Sequence, residues 1–486
     1  MKHILALLFL LVLLCGCTAG EEADRDLPSD QVTLRYYTIG RADQDLKLVN
    51  EELNRLLSER YGFQVDYRKL DFNAYEGVVN EVINTNQEFD VLFTWDSHYS
   101  HHASQGAFLN LTDYLQGEGR ELYDTVDPRF WQGARVGGQI YAVPTNKELA
   151  PVVQFLFSRD LVDKYQVRPA SFRTMHSLEP LLAMIHREEP DVIPLMLTSE
   201  RLDITGLLGY QYVAGGNLPF VVKQGDPACQ VVNLYETEEM TTLMTLMRRY
   251  YEKGYINPDA ALRTSISRFP EEKVFCRIGV GGPDSQQSFS VDYGYPIETI
   301  AVSKPLVTNT SARGGMMAIN ADSPHKKEAL AFLAAVNLDP DVRNLLNFGV
   351  EGIHYSLTDQ DQVHVLSDGY RGVPYTQGNW FLLKTMEGEP LDKWKQYEVY
   401  NAQARSSRLL GFEPDLSQLH QELNQVTQVY LRYDTALLTG SVDPDLYMEK
   451  ILRQMDLAGA RKIERVLQSQ VDAWLQSQRD TNRNED

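Results

Sequence analysis

Hydrophobic residues follow two different periods near the start of the chain, and together they predict a sheet covered by helices. Residues 32–40 and 63–71 have the pattern of strands, and 89–93 is an apolar run typical of a buried strand. Between these strands, leucines and valines recur every three or four positions, as in amphipathic helices that bury one face. The order strand, helix, strand, helix, strand predicts a parallel sheet with right-handed crossovers.

A similar unit lies well past the middle of the chain. Residues 316–319 are an apolar run, Ser323 and Pro324 are typical of a helix start, and Asp339 is typical of the cap of a second helix. This unit needs a sheet to pack on, and the N-terminal strands are its best partner. The residues between the two units are therefore predicted to form an inserted second lobe.

The predicted fold class is α/β, with two lobes, a cleft between them and a helical C-terminal region. Lobe 1 is assigned to 32–147 and 297–350, and lobe 2 to 148–296 with a contribution from 351–390. Residues 391–486 are mostly helical in pattern and are expected to pack on lobe 2. A chain of 486 residues is too long for a single core, which agrees with this division.

The N-terminus has the pattern of an export signal. Positions 4–14 are an unbroken apolar run, too short to span a membrane but right for a signal-peptide core. The sequence LCGC at 14–17 resembles the bacterial lipoprotein box, in which a cysteine receives lipid before cleavage. Residues 1–17 are thus predicted to be a lipoprotein signal with Cys17 as the lipidated residue, and a plain secretory signal is the alternative. The acidic stretch 18–31 is predicted to be a flexible tether.

The composition argues against nucleic acid as a partner and leaves open whether two cysteines form a disulfide. The net charge of -21 and the lack of a basic stripe make nucleic acid an unexpected partner. Tyrosines (26) outnumber phenylalanines (18), which hints at wet aromatic surfaces. Cys229 and Cys276 could form a disulfide outside the cell, but the sequence does not show whether they approach.

Polar and aromatic residues follow the carboxyl ends of the predicted strands, where parallel α/β sheets bind ligands. Trp95 and Asp96 are the most informative pair, since an indole stacks on a sugar ring while a carboxylate accepts hydrogen bonds from hydroxyls. The alternative is that Trp95 packs over the sheet and Asp96 caps the next helix. The candidate ligand-binding residues are Tyr37, Arg41, Asp43, Asp71, Trp95, Asp96, Glu148, Tyr210, Asn217 and Trp380.

The candidate residues outside the first sheet also have structural interpretations besides ligand binding. Glu148 lies near the predicted crossing between lobes, where it either binds a ligand hydroxyl or is an exposed hinge charge. Tyr210 and Asn217 belong to GYQYVAGGNLPF, a loop suited to close backbone approach and stacking, or else a structural turn. The histidines at 98, 101 and 102 invite a metal site, but no nearby Cys or Glu completes one. No metal or cofactor is expected.

In their order, these motifs resemble the bacterial extracellular solute-binding proteins. The LCGC box, DVLFTWDSHYSHHASQGAFLNL, GGQIYAVP, MMAINADSPHKKEALAFL and VEGIHY are together similar to the sugar-type lipoproteins that serve ATP-binding-cassette (ABC) importers. The tail, with SRLLGFEPD and LLTGSVDPD, resembles a C-terminal domain found on one branch of these proteins in Gram-positive bacteria.

The resemblance implies a monomeric protein that captures a small solute, foremost a carbohydrate or oligosaccharide, between two hinged lobes. It also implies delivery to the permease subunits of an ABC importer and a lipid anchor at the extracellular face of the membrane. A ligand-sensing lipoprotein for a membrane kinase would share these features. A secreted glycoside hydrolase with Asp96 and Glu148 as its carboxylates is a further alternative. No nucleophile elbow, HExxH or Ser/His/Asp signature supports catalysis, so none is expected.

Overall fold

The computed structural model describes residues 31–85, 89–200, 202–264 and 272–485. The predictions for the signal sequence, for Cys17 and for nearly all of the tether lie outside these described residues. No helix in the described part of the chain is long and apolar enough to cross a membrane.

The N-terminal segment alternates strands and helices, as its periodicity predicts. Its strands are β1 (Thr33–Ile39), β2 (Gln64–Leu70), β3 (Val91–Thr94), β4 (Arg135–Val136), β5 (Gln139–Ile140) and β6 (Ala142–Pro144). Its helices are α1 (Leu46–Tyr61), α2 (Phe72–Asn84), α3 (Asp96–Ser104), α4 (Thr112–Gln116), α5 (Arg120–Thr125) and α6 (Pro128–Gly133). β4 and β5 form the predicted hairpin, whose turn needs the positive φ of Gly137 and Gly138.

The middle segment forms the second lobe. Its strands are β7 (Val152–Ser158), β8 (Val192–Leu195), β9 (Tyr210–Tyr212), β10 (Phe220–Lys223), β11 (Val232–Asn233), β12 (Lys273–Gly281) and β13 (Ile297–Ala301). Its helices are α7 (Arg159–Lys164), α8 (Glu179–Glu188), α9 (Ile204–Leu208), α10 (Glu238–Glu252) and α11 (Ser285–Tyr293).

The remaining elements complete lobe 1 and build the C-terminal region. The strands are β14 (Leu306–Val307), β15 (Met316–Ile319), β16 (Tyr355–Leu357), β17 (Val363–Val365) and β18 (Arg405–Ser406). The helices are α12 (Asn309–Ala312), α13 (Lys326–Leu338), α14 (Pro340–Phe348), α15 (Lys393–Gln403), α16 (His420–Leu438), α17 (Pro444–Leu457) and α18 (Ala460–Glu485).

The late strand returns to the first sheet, as its apolar run requires. The order in the lobe 1 sheet is β2-β1-β3-β15-β6, with β1 parallel to β2 and β3. β15 lies antiparallel between β3 and β6, and all four of its residues are buried. A strand covered on both faces reads as a continuous apolar run.

The first helix after β15 begins later than predicted, whereas the second begins as expected. α13 starts at Lys326, and Ser323 precedes it, where its hydroxyl accepts a hydrogen bond from the His325 amide at 3.1 Å and donates one to Asp90 at 2.5 Å. Asp339 caps α14 by accepting hydrogen bonds from the next backbone amides, and Gly349 ends this helix with a φ of 80°.

Two predicted boundaries between the lobes are wrong. Residues 297–301 form β13, which pairs with β7 in the lobe 2 sheet of order β13-β7-β12-β8, so lobe 1 does not resume at 297. The segment 351–390 contacts lobe 1 rather than lobe 2. Arg343 donates to the Pro374 carbonyl at 3.0 Å, and Tyr36 donates to Gln377 at 2.8 Å. This segment consists largely of loops and single turns, so no period indicates the lobe on which it packs.

The C-terminal helices share a hydrophobic core with lobe 2. Val426, Tyr430 and Leu437 of α16 are buried in the same cluster as Met244 and Met247 of α10. Tyr235 also donates a hydrogen bond to Asp434 at 2.7 Å inside this core. Cys229 and Cys276 are both buried there as free thiols, so they form no disulfide.

Within the described residues, three segments cross between the lobes. They follow β6, precede α12 and follow α15, and two of them pair as the short parallel ladder of β14 and β18. Ser407 extends this ladder through a hydrogen bond from its amide to the Val307 carbonyl at 2.8 Å. The crossings thus define a hinge at the base of the interlobe cleft.

Candidate ligand-binding cleft

A cavity of about 660 Å³ lies between the lobes, above the hinge. Residues from lobe 1, lobe 2, the crossings and the C-terminal region all contribute to its lining. The lining includes Asp96, Ser100, Lys147, Pro151, Asp203, Tyr210, Tyr212, Gly215, Ser303, Lys304, Asn309, Thr310, Arg313, Leu409, Phe412, Glu413 and Leu416.

Asp96 is the lobe 1 carboxylate that faces this cavity. It follows β3 with a φ of 30°, a left-handed conformation that is strained for a residue with a side chain. Its amide donates to the Arg313 carbonyl at 2.9 Å. In the described chain its carboxylate accepts one hydrogen bond, a long one of 3.4 Å from Thr310. Asp96 does not cap α3 with its side chain, so the helix-cap alternative is wrong.

Burial dominates the electrostatics of Asp96. Desolvation raises its pKa above the usual 3.8, the positive charge of Arg313 opposes this, and the negative charge of Glu413 adds to it. The Arg313 guanidinium is held by carbonyls of Gly133 at 2.7 Å and Arg135 at 2.9 Å, and it pairs with Glu413 at 2.8 Å. Asp96 is therefore a half-buried carboxylate whose charge is compensated within the described chain mainly by Arg313, with one long hydrogen bond from Thr310.

Lobe 2 contributes two tyrosines to the cavity. The Tyr210 hydroxyl donates to Glu239 at 3.0 Å, and the Tyr212 hydroxyl lies 3.2 Å from that of Tyr430. Both hydroxyls are thus tied to helices behind the wall. Asn217, predicted in the same loop, is exposed and does not line the cavity.

Three of the predicted ligand-binding residues lie at the end of the lobe 1 sheet and have structural partners there. Two belong to an ion-pair network, and the third caps a helix. The side chains of Asp43 and Lys69 are paired and fully buried, and Asp43 also pairs with Arg41 at 3.1 Å. Asp71 caps α2 by accepting a hydrogen bond from the Asn73 amide at 2.9 Å. Arg41, Asp43 and Asp71 do not line the interlobe cavity.

The predicted aromatic residues of lobe 1 pack against their neighbours. Trp95 stacks on Phe93 with ring centroids 5.4 Å apart, and the centroids of the Trp95 and His98 rings are 4.4 Å apart. Tyr37 accepts a hydrogen bond from Arg68 at 3.1 Å. Neither Trp95 nor Tyr37 lines the cavity, so Trp95 follows the packing alternative.

Glu148 and Trp380 lie at the hinge without lining the cavity. Glu148 pairs with Lys147 at 2.5 Å, and its second oxygen is buried without a partner among the described residues. Trp380 donates to the Pro374 carbonyl at 2.8 Å and lies beneath the Lys147 ammonium, 5.9 Å from the ring centre. Of the ten candidates, the structure brings Asp96 and Tyr210 together on the cavity.

The three histidines of α3 do not assemble a metal site in the described part of the chain, which contains no group of three suitable ligands. His98 pairs with Glu76 at 2.9 Å. Burial lowers the pKa of His102 to about 4, and its ring contacts Asn80 at 3.1 Å.

A second depression, of about 830 Å³, lies outside the cleft, between α11 and α15. Two of its charged lining residues, Lys393 and Asp284, are paired with each other at 2.9 Å, and Lys393 also contacts Glu389 at 2.7 Å. The interlobe cavity is therefore the better candidate site, because it contains Asp96, whose carboxylate accepts one long hydrogen bond within the described chain.

Sequence reasoning missed most of the side chains that shape this cavity. Arg313 lies in the short segment SARGG, which has no period and no motif. Glu413 and Phe412 belong to the C-terminal region and reach the cavity only through the fold. Tyr212 is the exception, because its position two residues after Tyr210 in a glycine-containing loop is a usable signal.

Two α/β lobes with a hinged cleft define the class of two-lobed solute-binding proteins. The chain belongs to the family of bacterial extracellular solute-binding proteins, whose profile matches residues 46–340. A second profile, a domain of unknown function called DUF3502, matches residues 408–476.

Relatives along the whole chain agree with this assignment. The chain is 26% identical over 484 residues to a carbohydrate ABC transporter substrate-binding protein of Streptococcus pneumoniae serotype 4, with 96% of this chain and 95% of the relative covered. It is similar to the crystal structure of NgtS, an N-glycan transport solute binding protein from Streptococcus pneumoniae, with a TM-score of 0.85, 25% identity and coverage of 92% and 100%. For NgtS in complex with Man5GlcNAc the TM-score is 0.76, with 26% identity and coverage of 92% and 99%. The predicted family and two-lobed fold are confirmed.

Proposed function

We propose that this protein captures an oligosaccharide between its lobes and delivers it to an ABC importer. The observation that carries the proposal is the interlobe cavity, in which the poorly paired carboxylate of Asp96 occurs together with Tyr210 and Tyr212. A carboxylate accepts hydrogen bonds from sugar hydroxyls, and tyrosine rings stack on the apolar faces of sugar rings. The named ligands of the relatives support the same class of solute.

The hydrolase alternative receives less support from the geometry. A carboxylate pair that cleaves a glycosidic bond must flank one substrate within a single site. Asp96 lines the interlobe cavity, whereas Glu148 lies outside its lining and is paired with Lys147. A binding role without catalysis is therefore the function that we propose.

Calorimetric titration of the mature chain tests this function. The ligand panel contains Man1GlcNAc and Man5GlcNAc, with free amino acids and a dipeptide as ligands of other classes. Saturable binding of at least one oligosaccharide, with a stoichiometry of one, is expected. Binding confined to the amino acids or the dipeptide would contradict the proposal.

We further propose that the protein is held at the extracellular face of the membrane by lipid on Cys17. The Cys17→Ser variant should appear in the medium or stay unprocessed, because the covalent lipid is then missing. The matched control is Cys15→Ser, which leaves the lipidated position intact and should remain on the membrane. Fractionation of cells fed a labelled fatty acid measures both outcomes. Membrane retention of Cys17→Ser with label still attached would contradict the lipid anchor.

A further inference from the structure

The C-terminal helical region, whose matched domain has no assigned function, forms part of the cavity wall. Leu409, Phe412, Glu413, Pro414 and Leu416 line the cavity, and all of them fall within the matched range 408–476. These residues thus lie where a ligand between the lobes would contact the protein.

Hydrogen bonds with residues of α6 and α12 hold this stretch of the cavity wall. Asn309 at the start of α12 lines the cavity and donates a hydrogen bond to the Phe412 carbonyl at 2.6 Å. The Gly411 amide donates in return to the Asn309 side-chain oxygen at 2.7 Å. Gln132 of α6 donates to the Leu410 carbonyl at 3.0 Å. These hydrogen bonds connect the wall to lobe 1, the lobe that carries Asp96.

The long C-terminal helices support the wall from behind. The Phe412 ring packs on Trp474 of α18 with centroids 6.0 Å apart, and the Trp474 indole donates to the Arg408 carbonyl at 3.0 Å. Tyr430 of α16 lies within hydrogen-bonding distance of Tyr212, the cavity tyrosine of lobe 2. The helices therefore set the positions of aromatic groups on two sides of the cavity.

The wall also carries charge into the site. The Glu413 carboxylate pairs with Arg313, whose side chain is only 3% exposed, while that of Glu413 is 34% exposed. Part of this carboxylate is thus left open to the cavity. It lies close enough to Asp96 to act on that residue electrostatically. The lining as a whole contains three acidic residues, Asp96, Asp203 and Glu413, and three basic ones, Lys147, Lys304 and Arg313. Glu413 therefore adds a hydrogen-bond acceptor to the site without giving the cavity a net charge.

We propose that the C-terminal domain is a specificity element of the ligand site, which supplies an apolar contact and a hydrogen-bond acceptor to the bound oligosaccharide. Leu416 and Phe412 contact the apolar faces of the bound sugar, and Glu413 accepts hydrogen bonds from its hydroxyls. Tyr430 is a positioning residue that holds Tyr212 in place. This inference rests on the proposed function and extends it, because it assigns a role to a domain that the family profile leaves without one.

The Leu416→Ala variant tests the contact, with Man5GlcNAc as the probe in calorimetric titrations of the full mature chain. We expect a three- to tenfold higher Kd for Leu416→Ala and recovery of most of the affinity in Leu416→Met. The Glu413→Ala variant should also bind at least threefold more weakly. The control is Leu446→Ala on α17, a residue that is 72% exposed and does not line the cavity, and its Kd should stay at the wild-type value.

A measurement on protein with an unchanged cavity wall tests the inference even if the Leu416 or Glu413 variants fold poorly. Fluorine NMR of protein labelled with 5-fluorotryptophan should resolve the five tryptophans, and Trp474→Phe assigns the Trp474 resonance. Saturation with Man5GlcNAc should shift this resonance. Wild-type Kd values for Leu416→Ala and Glu413→Ala, with an unmoved Trp474 resonance, would overturn this inference while leaving oligosaccharide binding intact. Failure of the wild-type protein to bind any oligosaccharide would overturn the proposed function and this inference with it.

Discussion

Replacing Asp96 with Asn should weaken oligosaccharide binding about tenfold or more without lowering the stability of the fold. A hydrogen bond to a charged group contributes about 1.5–3 kcal/mol, and about 1.4 kcal/mol corresponds to a factor of ten in Kd. The carboxylate accepts just one long hydrogen bond within the described chain, so it is free to accept ligand hydroxyls. Calorimetric titration and denaturant unfolding of the variant measure the two quantities.

The control for this variant is Asp71→Asn, because Asp71 caps α2 and does not line the cavity. It should lose about 1 kcal/mol or less of stability and keep its affinity. Unchanged affinity of Asp96→Asn would instead move the ligand contacts to other residues of the cleft.

The pH dependence of ligand affinity provides a second test of whether the Asp96 carboxylate binds the ligand. Burial raises its pKa above 3.8, so the native state binds a proton more readily than the unfolded chain does. The ionised form of Asp96 therefore destabilises the fold. This destabilisation is lost as the pH falls from the raised pKa to 3.8, so the free energy of unfolding increases over that window. Binding through the carboxylate changes in the opposite direction, so affinity should fall as the pH drops through the raised pKa. Asp96→Asn should remove this part of the pH dependence.

Replacing Asp43 with Ala should destabilise lobe 1 by about 3–5 kcal/mol and leave ligand affinity unchanged. The variant leaves the Lys69 ammonium buried without its carboxylate, and breaking one partner of a buried pair costs this much. Burial already lowers the pKa of Lys69, while Asp43 opposes that effect. Urea unfolding and calorimetric titration test the two halves of the prediction.

A double variant separates the pair from any role of Asp43 itself. Lys69→Met together with Asp43→Ala removes both charges, so most of the lost stability should return. A stability loss below about 1 kcal/mol for Asp43→Ala, together with weaker binding, would return Asp43 to the ligand site.

The local periods of the sequence predict most of lobe 1, because strands and helices there follow one another within short distances. β1, β2, β3 and β15 all occur where apolar runs and alternation place them. β13 shows the limit of this reasoning. Its sequence IETIA has a strand pattern, but nothing local indicates that it pairs with β7 instead of the first sheet.

The site was harder to predict than the fold, since it depends on which way a side chain turns and on contacts between distant parts of the chain. Trp95 and Asp96 are adjacent in sequence, yet the indole packs on Phe93 and the carboxylate faces the cavity. Arg313 and Glu413 reach Asp96 from two other parts of the chain. No spacing rule connects positions so far apart.

Small-angle X-ray scattering with and without ligand tests most directly whether the protein captures an oligosaccharide between hinged lobes. A ligand that contacts both lobes favours the closed form by its differential affinity for that form. At saturation with an oligosaccharide that binds in calorimetry, the radius of gyration should decrease, and Asp96→Asn at the same ligand concentration should show a smaller decrease. An unchanged radius of gyration at proven saturation would contradict capture between the lobes.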